Sequence, residues 1–93
     1  MSRHSMLNTI ERVERIADML PGCSESELNS LGGQALGALS AVVNELKSQG
    51  MDTDNQMISR MADRLERSDD VYDAVFAFQA AAGFLRGLIE DVY

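Results

Sequence analysis

The sequence Val71-Tyr-Asp-Ala-Val-Phe-Ala-Phe-Gln-Ala-Ala-Ala-Gly-Phe-Leu-Arg-Gly-Leu-Ile-Glu-Asp-Val92 sets the architecture of this chain. Val71, Val75, Phe78, Ala82, Leu85, Ile89 and Val92 recur in alternating steps of four and three. That is the spacing of an inward seam on a helix. Phe76, Phe84 and Leu88 lie off the seam, so the apolar surface is wider than one stripe. A helix apolar on most sides is buried by several neighbours. A membrane span is the rival reading. Gln79, Arg86 and two glycines interrupt the run, and Asp73 and Glu90 flank it too closely for the about 20 apolar residues a span needs. The stretch therefore predicts a central helix, or one that another chain helps to cover.

Working outward, the same rhythm recurs near the start. Met6, Ile10, Val13, Ala17 and Leu20 follow four-three steps with Ile16 beside them, and Ser5 is a possible N-cap. Glu11, Arg12, Glu14, Arg15 and Asp18 populate the opposite face. Pro21-Gly22 ends this helix, since proline lacks a backbone donor and glycine accepts the turn. Ser24 opens the next, and Glu27 three residues on predicts a capping box. Its buried face is expected from Leu28, Leu31, Ala35, Leu39 or Ala38, Val42 and Leu46, supported by Leu36 and Val43. Gly50 supplies the left-handed stop.

Gly32, Gly33 and Gly37 fall inside that second helix, each at a cost of about 1 kcal/mol relative to alanine. Two readings compete. Small residues let another helix approach closely, or the helix is weak there. Close packing is expected at Gly37 and a weak point at Gly32-Gly33. Beyond Gly50, Asp52 or Thr53 is expected to cap a third helix carrying Ile58, Met61 and Leu65 inward, with Met57 and Ala62 beside them. Ser68-Asp69-Asp70 then forms a break and the cap of the last helix. No alternating strand pattern, repeat or low-complexity linker interrupts this order. The expectation is an all-α fold, a small antiparallel bundle of three to four helices at about residues 5–20, 25–49, 54–67 and 69–92. It forms a single helical domain over residues 1–93, with residues 1–4 frayed.

The totals constrain function. Apolar residues make up 45% and charged residues 25%, the balance of a globular rather than a disordered chain. The net charge of -7 argues against direct nucleic-acid binding, whose affinity comes largely from cationic contacts to phosphate. The one cysteine, Cys23, excludes an internal disulfide and has no cation near it in sequence to activate its thiol. With neither a signal-peptide-like apolar stretch nor a membrane segment, a cytoplasmic protein is expected.

Nothing in the chain assembles into recognisable catalytic machinery. His4 is the only histidine and has no identifiable nucleophile and carboxylate around it. Asp52-Thr-Asp54-Asn55 briefly resembles a calcium loop but lacks the central glycine and has Asp63 at the closing position. Leu31-Gly32-Gly33-Gln34 lacks the Lys-Ser/Thr of a phosphate-binding loop. The reading is a non-enzyme, with no catalytic residues, cofactor or metal.

Two features suggest binding instead. Phe76 and Phe84 are eight residues apart and share a helix face. They either anchor a second subunit or are buried within the chain. Together with Leu88, Gly33 and Gly37 they are the expected protein interface. Asp63, Glu66, Asp69, Asp70 and Asp73 form an acidic cluster, partly offset by Arg60, Arg64 and Arg67. It either docks a basic partner, or serves only helix capping and solubility.

From Leu31 onward the order of features resembles the small enterobacterial biofilm-development and two-component connector proteins of the YmgB/AriR type. The residues that carry the likeness are Leu31-Gly32 with Gln34-Ala35, then Leu46, Gly50, Asn55, Ile58, Leu65-Glu66, Asp69, Leu85 and Leu88-Ile89, over roughly residues 31–90. The alanine- and phenylalanine-rich last helix and the well-formed first helix depart from that pattern. The resemblance implies an all-helical homodimer that influences stress or biofilm signalling through a regulatory protein, without catalysis. The expected partner is thus a regulatory protein together with a second copy of the chain. The rival readings are a secretion chaperone or phage-type inhibitor that buries a partner segment, or one that mimics DNA with its acidic face.

Overall fold

The computed structural model describes residues 2–51, 60, 63 and 71–92. The fold is all-α, with helices α1 (Arg3–Met19), α2 (Glu25–Ser48) and α3 (Val71–Val92) packed together and no strand among the described residues. The expected helix at 54–67, with its cap at Asp52 or Thr53, lies outside the described residues. So does the Ser68–Asp70 cap. Arg60 and Asp63, the two described positions in that segment, are helical and exposed.

Helix α1 begins earlier than Ser5. Ser2 has extended backbone, and its hydroxyl accepts the Ser5 N–H at 3.1 Å. Serines at both positions offer a cap, and the upstream one adds a helical turn while leaving the seam in register. Met6, Ile10, Val13, Ile16 and Ala17 are buried, as the spacing predicts. Pro21 sits in a short 3-10 turn, Leu20–Gly22, that ends the helix with Leu20 buried.

Ser24 caps α2, its hydroxyl accepting the Glu27 N–H at 3.4 Å. The reciprocal half of the expected capping box takes a different form. The Glu27 carboxylate accepts from the Ser24 hydroxyl at 2.9 Å rather than from its backbone N–H. Glu25 and Glu27 in the first turn and Lys47 in the last complement the helix dipole. Ala35, Leu39, Val42, Val43 and Leu46 are buried, so the seam passes through Leu39, with Ala38 only half-buried.

The glycines of α2 correct an expectation. The helix runs unbroken through Gly32-Gly33, so there is no break there. Gly32 is buried, while Gly33 and Gly37 are exposed, and a Cβ on either would meet no atom within 4 Å. The close packing expected at Gly37 is therefore not made within this chain. The helix stops where glycine is needed. Gly50 has φ +86, its N–H bonds the Lys47 carbonyl at 3.0 Å, and the Met51 N–H bonds the Leu46 carbonyl at 3.0 Å. This paired pattern is a Schellman stop, which requires a left-handed residue at its centre.

The predicted seam of α3 is buried at Val75, Phe78, Ala82, Leu85 and Ile89, with Val71 half-buried. Ala74, Ala77 and Ala81 are buried as well. Alanines at these sites allow α3 to lie close against its neighbours. Helix α1 packs against both other helices and most extensively against α3. The short turn after α1 sends α2 back alongside it. Two side-chain bridges fix the sense of α3. The Gln79 amide donates to the Asp18 carboxylate at 3.3 Å, and the Arg86 guanidinium pairs with Glu14. The contact moves up α3 as it moves down α1, so these helices are antiparallel. With 24 residues, α2 is about 36 Å long, which accounts for the 37 Å longest dimension.

Candidate functional site

Helix α3 has two differently used sides. Its inner side completes the core. Its outer side carries the largest apolar exposure of the described residues: Phe76 is 68% exposed and Phe84 54% exposed, with Tyr72 exposed beside them. Phe78, two residues from Phe76, is 1% exposed. At about 100° per residue these two phenylalanines point roughly 160° apart, so one fills the core while the other stands out from it. Of the two expectations for Phe76 and Phe84, burial within the chain or exposure for a partner, both residues follow the second in being exposed. Among the described residues one long face of α3 is left exposed, because α1 and α2 both approach it from its inner side.

The outer face has an order that sequence reading missed. Phe76, Ala80, Gly83 and Gly87 recur in steps of four, three and four, and all are exposed. This is a second seam, opposite the buried one. A Cβ on Gly83 or Gly87 would meet nothing within 4 Å. Phe84 lies along one edge. Asp73, Gln79, Glu90 and Asp91 are exposed around it. The signal was present in the spacing. It was hidden because glycines register as interruptions of an apolar pattern, and Phe76 and Ala80 alone do not define a seam.

The other expected interface residues separate. Leu88 is half-buried and packs against the core, one turn beyond Phe84 at the edge of the outer face. Gly33 and Gly37 are on α2, and none of Phe76, Phe84 or Leu88 comes within 4 Å of their Cβ positions. They belong to a different surface, the exposed stripe of Ser26, Ser30, Gly33, Gly37, Ala41, Asn44 and Ser48. Of the acidic cluster, Asp63 and Asp73 are exposed. Glu66, Asp69 and Asp70 lie outside the described residues.

His4 is exposed on the first turn of α1. Cys23 is half-buried, its thiol donating to the Met19 carbonyl at 3.2 Å. Among the described residues no three His, Cys, Asp or Glu side chains lie close enough to share a metal ion. No described helix is long and apolar enough to cross a membrane. The Arg86–Glu14 pair is partly exposed and serves to hold α1 and α3 in register. What this surface offers chemically is apolar contact with a partner, through two aromatic knobs and the shallow gaps above three small residues. Comparison with known protein families, curated proteins and solved structures finds no match to the chain.

Proposed function

We propose that this chain is a small, non-enzymatic, cytoplasmic helical protein that binds and modulates a regulatory protein, acting as a homodimer. The observation that carries the binding part is the exposure of Phe76 and Phe84 on one face of α3, while the opposite face of the same helix is packed into the core. Apolar aromatic side chains held out on a rigid helix are characteristic of interface anchors. Exposing them costs solubility, and the net charge of -7 offsets that cost. The regulatory class of partner comes from the likeness of residues 31–90 to the connector proteins.

The test is a paired capture. Wild-type protein and the Phe76→Ser/Phe84→Ser variant are immobilised and exposed to lysate of the source organism, and retained proteins are identified by mass spectrometry. A response regulator or other signalling protein held by the wild type and lost from the variant supports the proposal. A secreted effector, nuclease or polymerase component would favour the chaperone or inhibitor reading. Identical retention by both baits refutes the assignment of binding to this face.

A further inference from the structure

We infer that the occupant of the outer face of α3 is the same face of a second copy of this chain, with the two helices antiparallel about a two-fold axis passing between Ala80 and Gly83. The inference rests on reading that face as a protein-binding surface, and it names what binds there. A two-fold interface must be complementary to itself, because each patch meets its own copy. The four-three-four spacing of Phe76, Ala80, Gly83 and Gly87 reads the same in both directions. Antiparallel pairing about its midpoint therefore sets Ala80 of one copy opposite Gly83 of the other, and Phe76 opposite Gly87. The large residue at one end of the stripe meets the smallest at the other.

The structure keeps that gap open. A Cβ on Gly87 or Gly83 would have no atom within 4 Å, so among the described residues the space directly above each glycine is open to a partner side chain. Phe84, on one edge, lies one residue beyond the level of the partner's Ala80. The arrangement gives each copy two knobs and two holes, the packing logic of paired helices.

The area is sufficient for a weak dimer. Taking ~200 Å² for a whole aromatic side chain, the exposed parts of Phe76, Phe84 and Tyr72 supply about 350 Å² per copy. With the small residues between them, two copies would bury on the order of 1,000 Å², the lower limit for a specific interface. The expected affinity is accordingly micromolar. Charge opposes the association, which gives it a signature. Each copy carries -7, and the same register brings Asp73 near Glu90 and Asp91 of the other copy, with no cation among the described residues at the centre of the face. Salt screens this repulsion, so added salt should tighten the dimer. Docking of a basic partner on the acidic residues would respond in the opposite sense.

The experiment is sedimentation equilibrium of the full chain from ~1 to ~300 µM, at ~50 mM and ~500 mM NaCl. The wild type should pass from monomer to dimer across this range and associate several-fold more tightly at the higher salt. Phe76→Ser and Gly87→Leu should each weaken association at least tenfold. Leucine is a better helix former than glycine, so Gly87→Leu should melt no lower than the wild type at dilute concentration, which separates loss of pairing from loss of fold. Gly37→Leu, on α2, should leave the dimer intact. A wild type that stays monomeric overturns the inference. So does a dimer indifferent to Gly87→Leu, or one abolished by Gly37→Leu. A monomer that still captures another protein in a Phe76-dependent way overturns the self-pairing and leaves the broader binding proposal standing.

Discussion

Replacing Phe78 and Phe76 by alanine, one at a time, compares two identical side chains two residues apart on α3 with opposite surroundings. Phe78 is 1% exposed and is the largest fully buried side chain of the core. Truncating such a residue removes its transfer free energy and leaves a cavity, costing about 3–5 kcal/mol. Phe76 is 68% exposed, so only ~60 Å² of a ~200 Å² side chain is covered. At about 25 cal/mol per Å² that contact is worth roughly 1.5 kcal/mol, part of which alanine retains. The higher helix propensity of alanine returns about 0.5 kcal/mol. The net loss at Phe76 is about 1 kcal/mol or less. A chain of 93 residues has a total stability of about 5–14 kcal/mol, so the two outcomes are well separated. Thermal unfolding followed by far-ultraviolet circular dichroism, at concentrations that keep copies apart, should lower Tm by about 12 °C or more for Phe78→Ala. Phe76→Ala should lower it by no more than about 8 °C. Equal losses at the two sites would refute the assignment of inner and outer sides to α3.

Other substitutions probe the turns and the helix pairing. Gly50→Ala forces a side chain into the left-handed region at φ +86 and should cost about 1–2 kcal/mol by urea unfolding. Gly37→Ala, in an exposed helical position with open space around it, should instead stabilise by about 0.5–1 kcal/mol in the same assay. Ser24→Ala removes the acceptor for the Glu27 N–H and should cost about 1 kcal/mol, with little change in the dependence on denaturant. A double-mutant cycle on Glu14 and Arg86 should give a coupling of about 0.2–1 kcal/mol that shrinks as salt is added, since both side chains are partly exposed. A coupling that salt leaves unchanged would contradict the solvent-screened pair described above.

The framework was legible where residues repeat in phase. The seams of α1 and α3 are written in Val, Ile, Leu and Phe at helical spacing, and every described seam position from Met6 to Ile89 turned inward or half-inward. Ser24 with Glu27, and Gly50, are read directly because caps and left-handed stops depend on residues adjacent in sequence. Choices between equivalent signals were harder. Ser2 and Ser5 both suit an N-cap, and only the structure selects Ser2. Gly33 and Gly37 suit a crowded helix crossing and an open surface equally well, and they proved open. Phe76 and Phe84 could be placed only once the number of neighbours around α3 was known. The bridges from Gln79 to Asp18 and from Arg86 to Glu14 join residues 61 and 72 positions apart, beyond the reach of local patterns.

Those long separations bear on how the protein is made. Helix α1 is synthesised before α3, yet α3 is the helix that packs most extensively against it. At synthesis rates of about 5–20 residues per second, the 73 residues from the end of α1 to the end of α3 take roughly 4–15 s to appear. During that interval α2 can fold back on α1, while the rest of the apolar seam of α1 has no final partner. Closing so distant a contact is also slow relative to local helix pairing, because loop entropy must be overcome before burial compensates. The nascent protein therefore passes through a stage in which an apolar stripe along its N-terminal helix is open to chaperones or to other unfinished chains.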